Sequence, residues 1–245
     1  DIIIFLSGER LAFFNLLFAS FLIVFLVKKW KFIRLGTLVT SMILISFITF
    51  NYEPIKERMI DRTLDQIFIT EEVMTVKEKK PNNLFYYFSK KVNIFSLQHQ
   101  NHYETAIKIY FDNLIIGSGP KLFRKLCKKF EYTAWRDGKK LESCSTHPHN
   151  TYVQALSETG TIGFLFLFSV FLMISFLLTK QFYYIIFFKK SYLSDYRVCL
   201  LVALMLTFWP LIPSGNFYNN WMSIIYFLPV GFFLQNYYKD ESINK

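Results

Sequence analysis

Five apolar blocks divide the chain, at residues 11–27, 35–50, 161–179, 198–213 and 217–235, and none of them contains Lys, Arg, Asp or Glu. A helix crossing a bilayer needs about 20 apolar residues and rarely fewer than about 17. The pattern therefore predicts an all-α polytopic membrane protein with about five transmembrane helices. Between the second and third blocks, residues 51–160 are mixed and polar, and they form one large, mostly helical external loop. Within it, "EPIKERMIDRTLDQIF" places Ile55, Met59 and Leu64 on one side and charges on the other. "NHYETAIKIYFDNLIIGSGP" repeats Tyr103, Ile107 and Tyr110 at three- and four-residue intervals, the period of a helix, before a glycine-rich turn.

Charge orients the blocks. The link at 28–34, "KKWKFIR", carries Lys28, Lys29, Lys31 and Arg34 and no acid. The link at 180–197 carries Lys180, Lys189, Lys190 and Arg197 against Asp195. Short basic links stay on the cytoplasmic side. Residues 1–10, the 51–160 loop and the turn at 214–220 then face the periplasm, and the tail at 236–245 lies inside. The net charge of +10 is spread over these links and forms no single stripe, which argues against a nucleic-acid partner. Hydrophobic residues make up 53% and aromatic residues 20% of the 245, in blocks and not as one mixed core. The chain opens on Asp1 with no basic leader before an apolar run, the pattern of part of a longer protein without a signal peptide.

Two cysteines, Cys127 and Cys144, fall in the external loop, and Cys199 falls in an apolar block. An oxidising compartment permits a Cys127–Cys144 bridge, worth roughly 3 kcal/mol in the chain-entropy account. Two unpaired thiols are the plain alternative. A zinc site of Cys144, His147 and His149 is a third, although it has no clear fourth ligand.

The stretch "STHPHNTYVQALSETGTIGF", residues 145–164, concentrates the candidate chemistry. Thr146 is a candidate helix cap with Pro148 in the first turn, and Gly160 a candidate helix end. His149 would then sit in the first turn, where free amides attract phosphate oxygens and depress an imidazole's pKa. A neutral imidazole beside a phosphate can act as a general base. A capping or interfacial histidine pair without chemistry fits the same residues.

His149 and Asn150, nine residues, then "GTIG" from Gly160 to Gly163, ahead of a membrane helix, resemble the hallmark of the O-antigen ligase and polymerase family. "DNLIIGSGP" at 112–120 is similar to that family's glycine turn, and "SGERLAF" at 7–13 to its arginine-bearing segment. The resemblance covers nearly the whole chain but only the C-terminal half of a family member. It implies a glycosyltransferase that moves a glycan from undecaprenyl pyrophosphate to a sugar hydroxyl, in surface polysaccharide synthesis at the inner membrane. It further implies His149 and Arg10 as the catalytic pair, one acting on the acceptor hydroxyl or the pyrophosphate and the other holding the pyrophosphate. Asn150 and His147 would support the site, Gly160 and Gly163 would shape it, and membrane lipids and a glycan or lipid A-core acceptor would be partners.

One position departs from the pattern. Where many members carry an arginine four residues before an aromatic, here Tyr103, this chain has His99. His99, His102, Arg62 and Arg124 are the candidates for that phosphate contact. No Asp-x-Asp pair is present to hold a metal-bound nucleotide sugar. The resemblance itself implies an inverting displacement without metal or cofactor. Tyr86, Tyr87, Tyr103 and Trp135 could stack on sugar rings. A transport subunit would call for charges inside the apolar blocks; a non-catalytic envelope-assembly factor would need none. Polymerase and ligase are not distinguished by these residues.

Overall fold

The computed structural model describes residues 1–68, 95–136 and 138–243. It is mostly helical: α1 Ile2–Leu6, α2 Arg10–Leu26, α3 Lys31–Asn51, α4 Glu53–Lys56, a π-helical turn Glu57–Asp61, α5 Arg62–Phe68, α6 Leu97–Asp112, α7 Phe123–Leu126, α8 Thr151–Phe187, α9 Asp195–Thr207 and α10 Asn220–Ile243. A two-stranded antiparallel hairpin, β1 Trp135–Arg136 and β2 Lys139–Lys140, pairs Trp135 with Lys140 and Arg136 with Lys139.

Among the described residues, two helices are long and apolar enough to cross a membrane, α3 and α8. Their large apolar side chains stay uncovered, Phe47 at 66% and Phe176 at 64% exposed, as suits a lipid solvent. Helix α2 is apolar but shorter, at 17 residues. The block expected at 198–213 is helical only to Thr207, a 13-residue helix, because Pro210 disfavours helical backbone before it and removes a donor. The block at 217–235 lies within α10, which contains Pro229.

The main core joins α2, α8 and α9: Leu26, Ala155, Leu167, Ile174, Leu178, Val198, Leu201 and Met205 are buried together. Trp209 follows α9 and sits between Phe18 of α2 and Phe171 of α8, with ring centroids 4.9 and 6.0 Å away. Beyond it, hydrogen bonds between Pro210, Ser214, Asn216 and Phe217 and residues 149–154 hold the segment after α9 against the start of α8. A second core, Ala106, Ile109, Phe123, Cys127 and Tyr132, packs α6 on the segment after the glycine turn. Cys127 and Cys144 are disulfide-bonded there, with Cα atoms 5.1 Å apart. A third core of Phe5, Ile45 and Met59 ties α1 and α3 to the π turn.

Candidate active site

The histidine segment is held by its backbone. Helix α8 starts at Thr151 and is capped by Asn150, whose Oδ1 accepts from the amides of Tyr152 and Val153 at 3.0 and 3.1 Å. The cap expected at Thr146 is therefore four residues too early, and Pro148 and His149 precede the helix. The reason lies in Asn150, the better cap, which is also anchored at its other end: Nδ2 donates to the Pro210 carbonyl at 2.8 Å. His149 takes a left-handed backbone, φ 62°, a conformation that costs a residue with a Cβ about 1–2 kcal/mol. Ser214 fixes it by donating its amide to the His149 carbonyl at 2.9 Å. The Ser214 carbonyl accepts from His147 Nε2 at 3.1 Å, so that nitrogen carries the proton, and Nδ1 lies 2.9 Å from the Thr146 hydroxyl. Thr151 and Tyr152 add hydroxyl bonds to Ser214 Oγ and the Phe208 carbonyl.

A second set of bonds brings α6 to this place. At Gly160 the backbone leaves the helix, φ 66° and ψ −164°, which frees carbonyls before the break and amides after it. The glycine turn supplies the partners. Ser118 and Gly119 donate to the Ser157 and Glu158 carbonyls at 3.0 and 2.9 Å, and Thr161 donates to the Leu114 carbonyl at 2.8 Å. Glu158, fully buried, accepts from the Phe123 amide at 3.0 Å and from Gln154 at 3.0 Å. Gln154 in turn bonds Asn216 and the Phe217 amide at 2.8 and 3.0 Å. Gly163 lies within the second part of α8 with Thr159 against it.

The result is a cluster of all four histidines of the chain. Around the His149 ring stand His147, His102 and His99, with centroids 4.2, 5.4 and 5.5 Å away. His102 is buried, 2% exposed, and its Nδ1 has no hydrogen-bond partner. His149 is half-buried, and no hydrogen bond to its ring occurs among the described residues. Burial first, then the neighbouring His102, lowers the pKa of His149. Burial and then His149 and His102 lower that of His99. His147 falls to about 4, through burial and His149, with Arg124 among the smaller contributors. Near neutral pH His99, His147 and His149 are uncharged, with ring nitrogens able to take a proton or orient a hydroxyl.

The other expected residues fall in different places. Arg124, on α7, is the loop cation whose field reaches the cluster. Arg62 pairs with Glu57 at 3.4 Å on an exposed surface. Arg10 opens α2 and donates to Thr63 at 3.3 Å, beside α5. Tyr103 stacks beside His99 at 6.3 Å, whereas Trp135 packs on Phe130. Tyr86 and Tyr87 lie outside the described residues. With Cys144 in the bridge, the zinc set loses a ligand, and no group of three His, Cys, Asp or Glu among the described residues is arranged to hold a metal ion.

A family model described as O-antigen ligase matches residues 2–168. The chain belongs to the O-antigen ligase family. No curated protein and no solved structure matches it significantly. The match takes in Arg10, the glycine turn, the four histidines and Gly160, and it stops inside α8. The 208–217 segment, which fixes His147, His149 and Asn150 of this O-antigen ligase family chain, lies beyond it. Sequence reasoning missed that segment and the buried pair Gln154 and Glu158. The pair had one signal, two polar residues four apart on a helix leading into an apolar run.

Proposed function

We propose that the protein is a membrane glycosyltransferase of the O-antigen ligase or polymerase type, transferring a glycan from undecaprenyl pyrophosphate to a sugar hydroxyl on the periplasmic side. The observation that carries this reading is the convergence of His99, His102 and His147 on His149, whose backbone is held in the left-handed region. A non-glycine residue in that region, fixed by surrounding bonds, is the kind of strain that positions a functional side chain. His149 would accept or orient the acceptor hydroxyl's proton. The donor is already activated, so the charge to be stabilised develops on the departing pyrophosphate. Arg10, Arg124 and the imidazoles of His99 and His102 are the groups proposed to meet it. Asn150 and His147 act one step back, by holding His149.

Substituting His149→Ala tests the reading. At unchanged membrane abundance, glycan transfer should fall about 100-fold or more, the usual loss when a general base is removed. Retained transfer would overturn the proposal. Arg10→Lys separates bidentate phosphate binding, which lysine cannot reproduce, from simple charge. The glycan profile of a deletion strain assigns the acceptor: single repeat units on the core mark a lost polymerase, and long chains left on the lipid carrier mark a lost ligase.

A further inference from the structure

At the other end of α2 from Arg10, about 25 Å away by the rise of a 17-residue helix, the chain builds a second polar feature. A groove of about 580 Å³ lies between residues 28–33, the link after α2 with the first residues of α3, and the end of α8, lined by Lys28, Lys31 and Lys189 together with Trp30, Phe32 and Ile185. We propose that this groove binds one anionic glycerophospholipid, its headgroup phosphate held by the three lysines and its acyl chains lying along Phe32 and Ile185.

The groove is rigidly framed. Gln181, fully buried, donates to the Leu26 carbonyl at 2.9 Å and accepts from the Tyr192 and Leu193 amides at 2.8 and 2.9 Å, so one side chain ties α2, α8 and the following turn. The Arg34 guanidinium donates to the Val27 and Lys29 carbonyls, which satisfies acceptors just past the end of α2. The Lys28 ammonium donates to the Lys189 carbonyl and closes one side of the groove. Both walls also hold a non-glycine residue in the left-handed region, Trp30 at φ 59° and Lys189 at φ 55°. Such backbone persists only where the surroundings over-determine it.

Charge and apolar exposure select the ligand. Among the described residues, no ion pair engages Lys28, Lys31 or Lys189, so three lysines line one groove whose lining holds no carboxylate. Lys31 lies over the Phe25 ring at 5.7 Å. Phe32 is 87% exposed beside them, at the start of α3, one of the two helices able to cross a bilayer. Cations above uncovered apolar side chains match a phosphate above acyl chains. A soluble phosphate would leave Phe32 and Ile185 without a role.

The test is native mass spectrometry of the detergent-purified full chain titrated with dioctanoyl phosphatidylglycerol, dioctanoyl phosphatidylcholine and inorganic phosphate. One phosphatidylglycerol should be retained at least tenfold more tightly than phosphatidylcholine, and millimolar phosphate should not displace it. The triple variant Lys28→Gln, Lys31→Gln, Lys189→Gln should lose that preference, and the triple arginine variant should keep it. Lys31→Gln alone, whose ammonium lies over Phe25 but makes no hydrogen bond among the described residues, should weaken retention about threefold and serves if the triple variant does not fold. Equal retention of phosphatidylcholine, displacement by inorganic phosphate, or undiminished preference in the glutamine variants would each overturn the proposal.

Discussion

Gly117 and Gly160 face each other at backbone distance: a Cβ on Gly117 would lie 2.5 Å from the Gly160 amide nitrogen, and one on Gly160 would lie 2.3 Å from the Ile115 carbonyl oxygen. Both residues have positive φ, 67° and 66°, so each needs glycine for its conformation as well as for space. This contact docks the glycine turn into the break of α8. Gly160→Ala or Gly117→Ala should destabilise the protein by about 2–4 kcal/mol, from left-handed strain plus overpacking against backbone that cannot yield. Gly36→Ala is the control, since a methyl added there meets nothing within 4 Å and its place inside α3 favours alanine. Thermal unfolding of the purified variants reads the difference. Equal midpoints for Gly160→Ala and Gly36→Ala would sink the account of the interlock.

Acid should weaken both fold and activity. His99, His147 and His149 have folded pKa values below the ordinary 6.5, with His147 at about 4. The unfolded chain therefore binds protons that the folded chain resists, and stability rises with pH across that interval. The contribution of these neutral imidazoles is complete above about pH 6.5 and is lost as pH falls through their lowered values, for His147 toward about 4. Melting midpoints between pH 7.5 and 4.5 should drop on the acid side, by roughly 3 °C or more. His147→Gln keeps a donor for the Ser214 carbonyl but cannot titrate, so its acid-side drop should be shallower. An unchanged or rising midpoint on acidification contradicts the buried, neutral cluster. On the proposed mechanism transfer should decline over the same interval, because a protonated His149 could not act as the base.

The features legible in the sequence were local ones. Apolar runs marked α2, α3 and the second part of α8, and the three- and four-residue spacing around Tyr103 marked α6. Thr146 with Pro148 imitates a helix cap in the sequence, whereas the choice of Asn150 depends on the Pro210 carbonyl 60 residues later. The end of α9 was misplaced for a related reason: Phe208 to Ser214 is apolar enough to pass for membrane helix, yet its prolines turn it into the brace for His149. The resemblance nominated all four histidines for one site, but the packing of His99, His102 and His147 around the His149 ring was not legible. It requires α6 to be docked through Leu114–Gly119 onto Ser157–Ile162, a pairing that no spacing within either segment announces.

The two ends of the Asn150 side chain make separable contributions. Asn150→Ala removes the cap of α8 and leaves the Pro210 carbonyl without its donor, an expected loss of about 2–3 kcal/mol. Asn150→Asp retains the capping oxygen and loses only the donor, so its melting midpoint should fall between those of the alanine variant and the wild type. On the proposed reaction its transfer rate should nevertheless fall, because a carboxylate placed next to His149 would repel a pyrophosphate-linked donor. Aspartate behaving like alanine in the melt would show that the Pro210 bond, and not the cap, dominates.

Arg62 and Arg124 distinguish a surface cation from one within reach of the cluster. Arg62 is 63% exposed and paired with Glu57, an arrangement worth about 0–1 kcal/mol, so Arg62→Gln should leave transfer within about twofold of wild type. Arg124 acts on His147 through its charge. If it also meets the pyrophosphate, Arg124→Gln should lower kcat/KM for the lipid-linked donor by about 10- to 100-fold, the size of one charge-assisted contact. Two readouts separate binding from chemistry: a rise in donor KM with kcat preserved assigns Arg124 to holding the donor, and an equal fall in kcat and kcat/KM assigns it to the departing charge. Adding His99→Arg to the Arg124→Gln background supplies a permanent cation from α6 beside His149. Recovery of donor use in that double variant would place the phosphate contact between α6 and α7, and absence of recovery with Arg62→Gln as damaging as Arg124→Gln would move it to the α5 side.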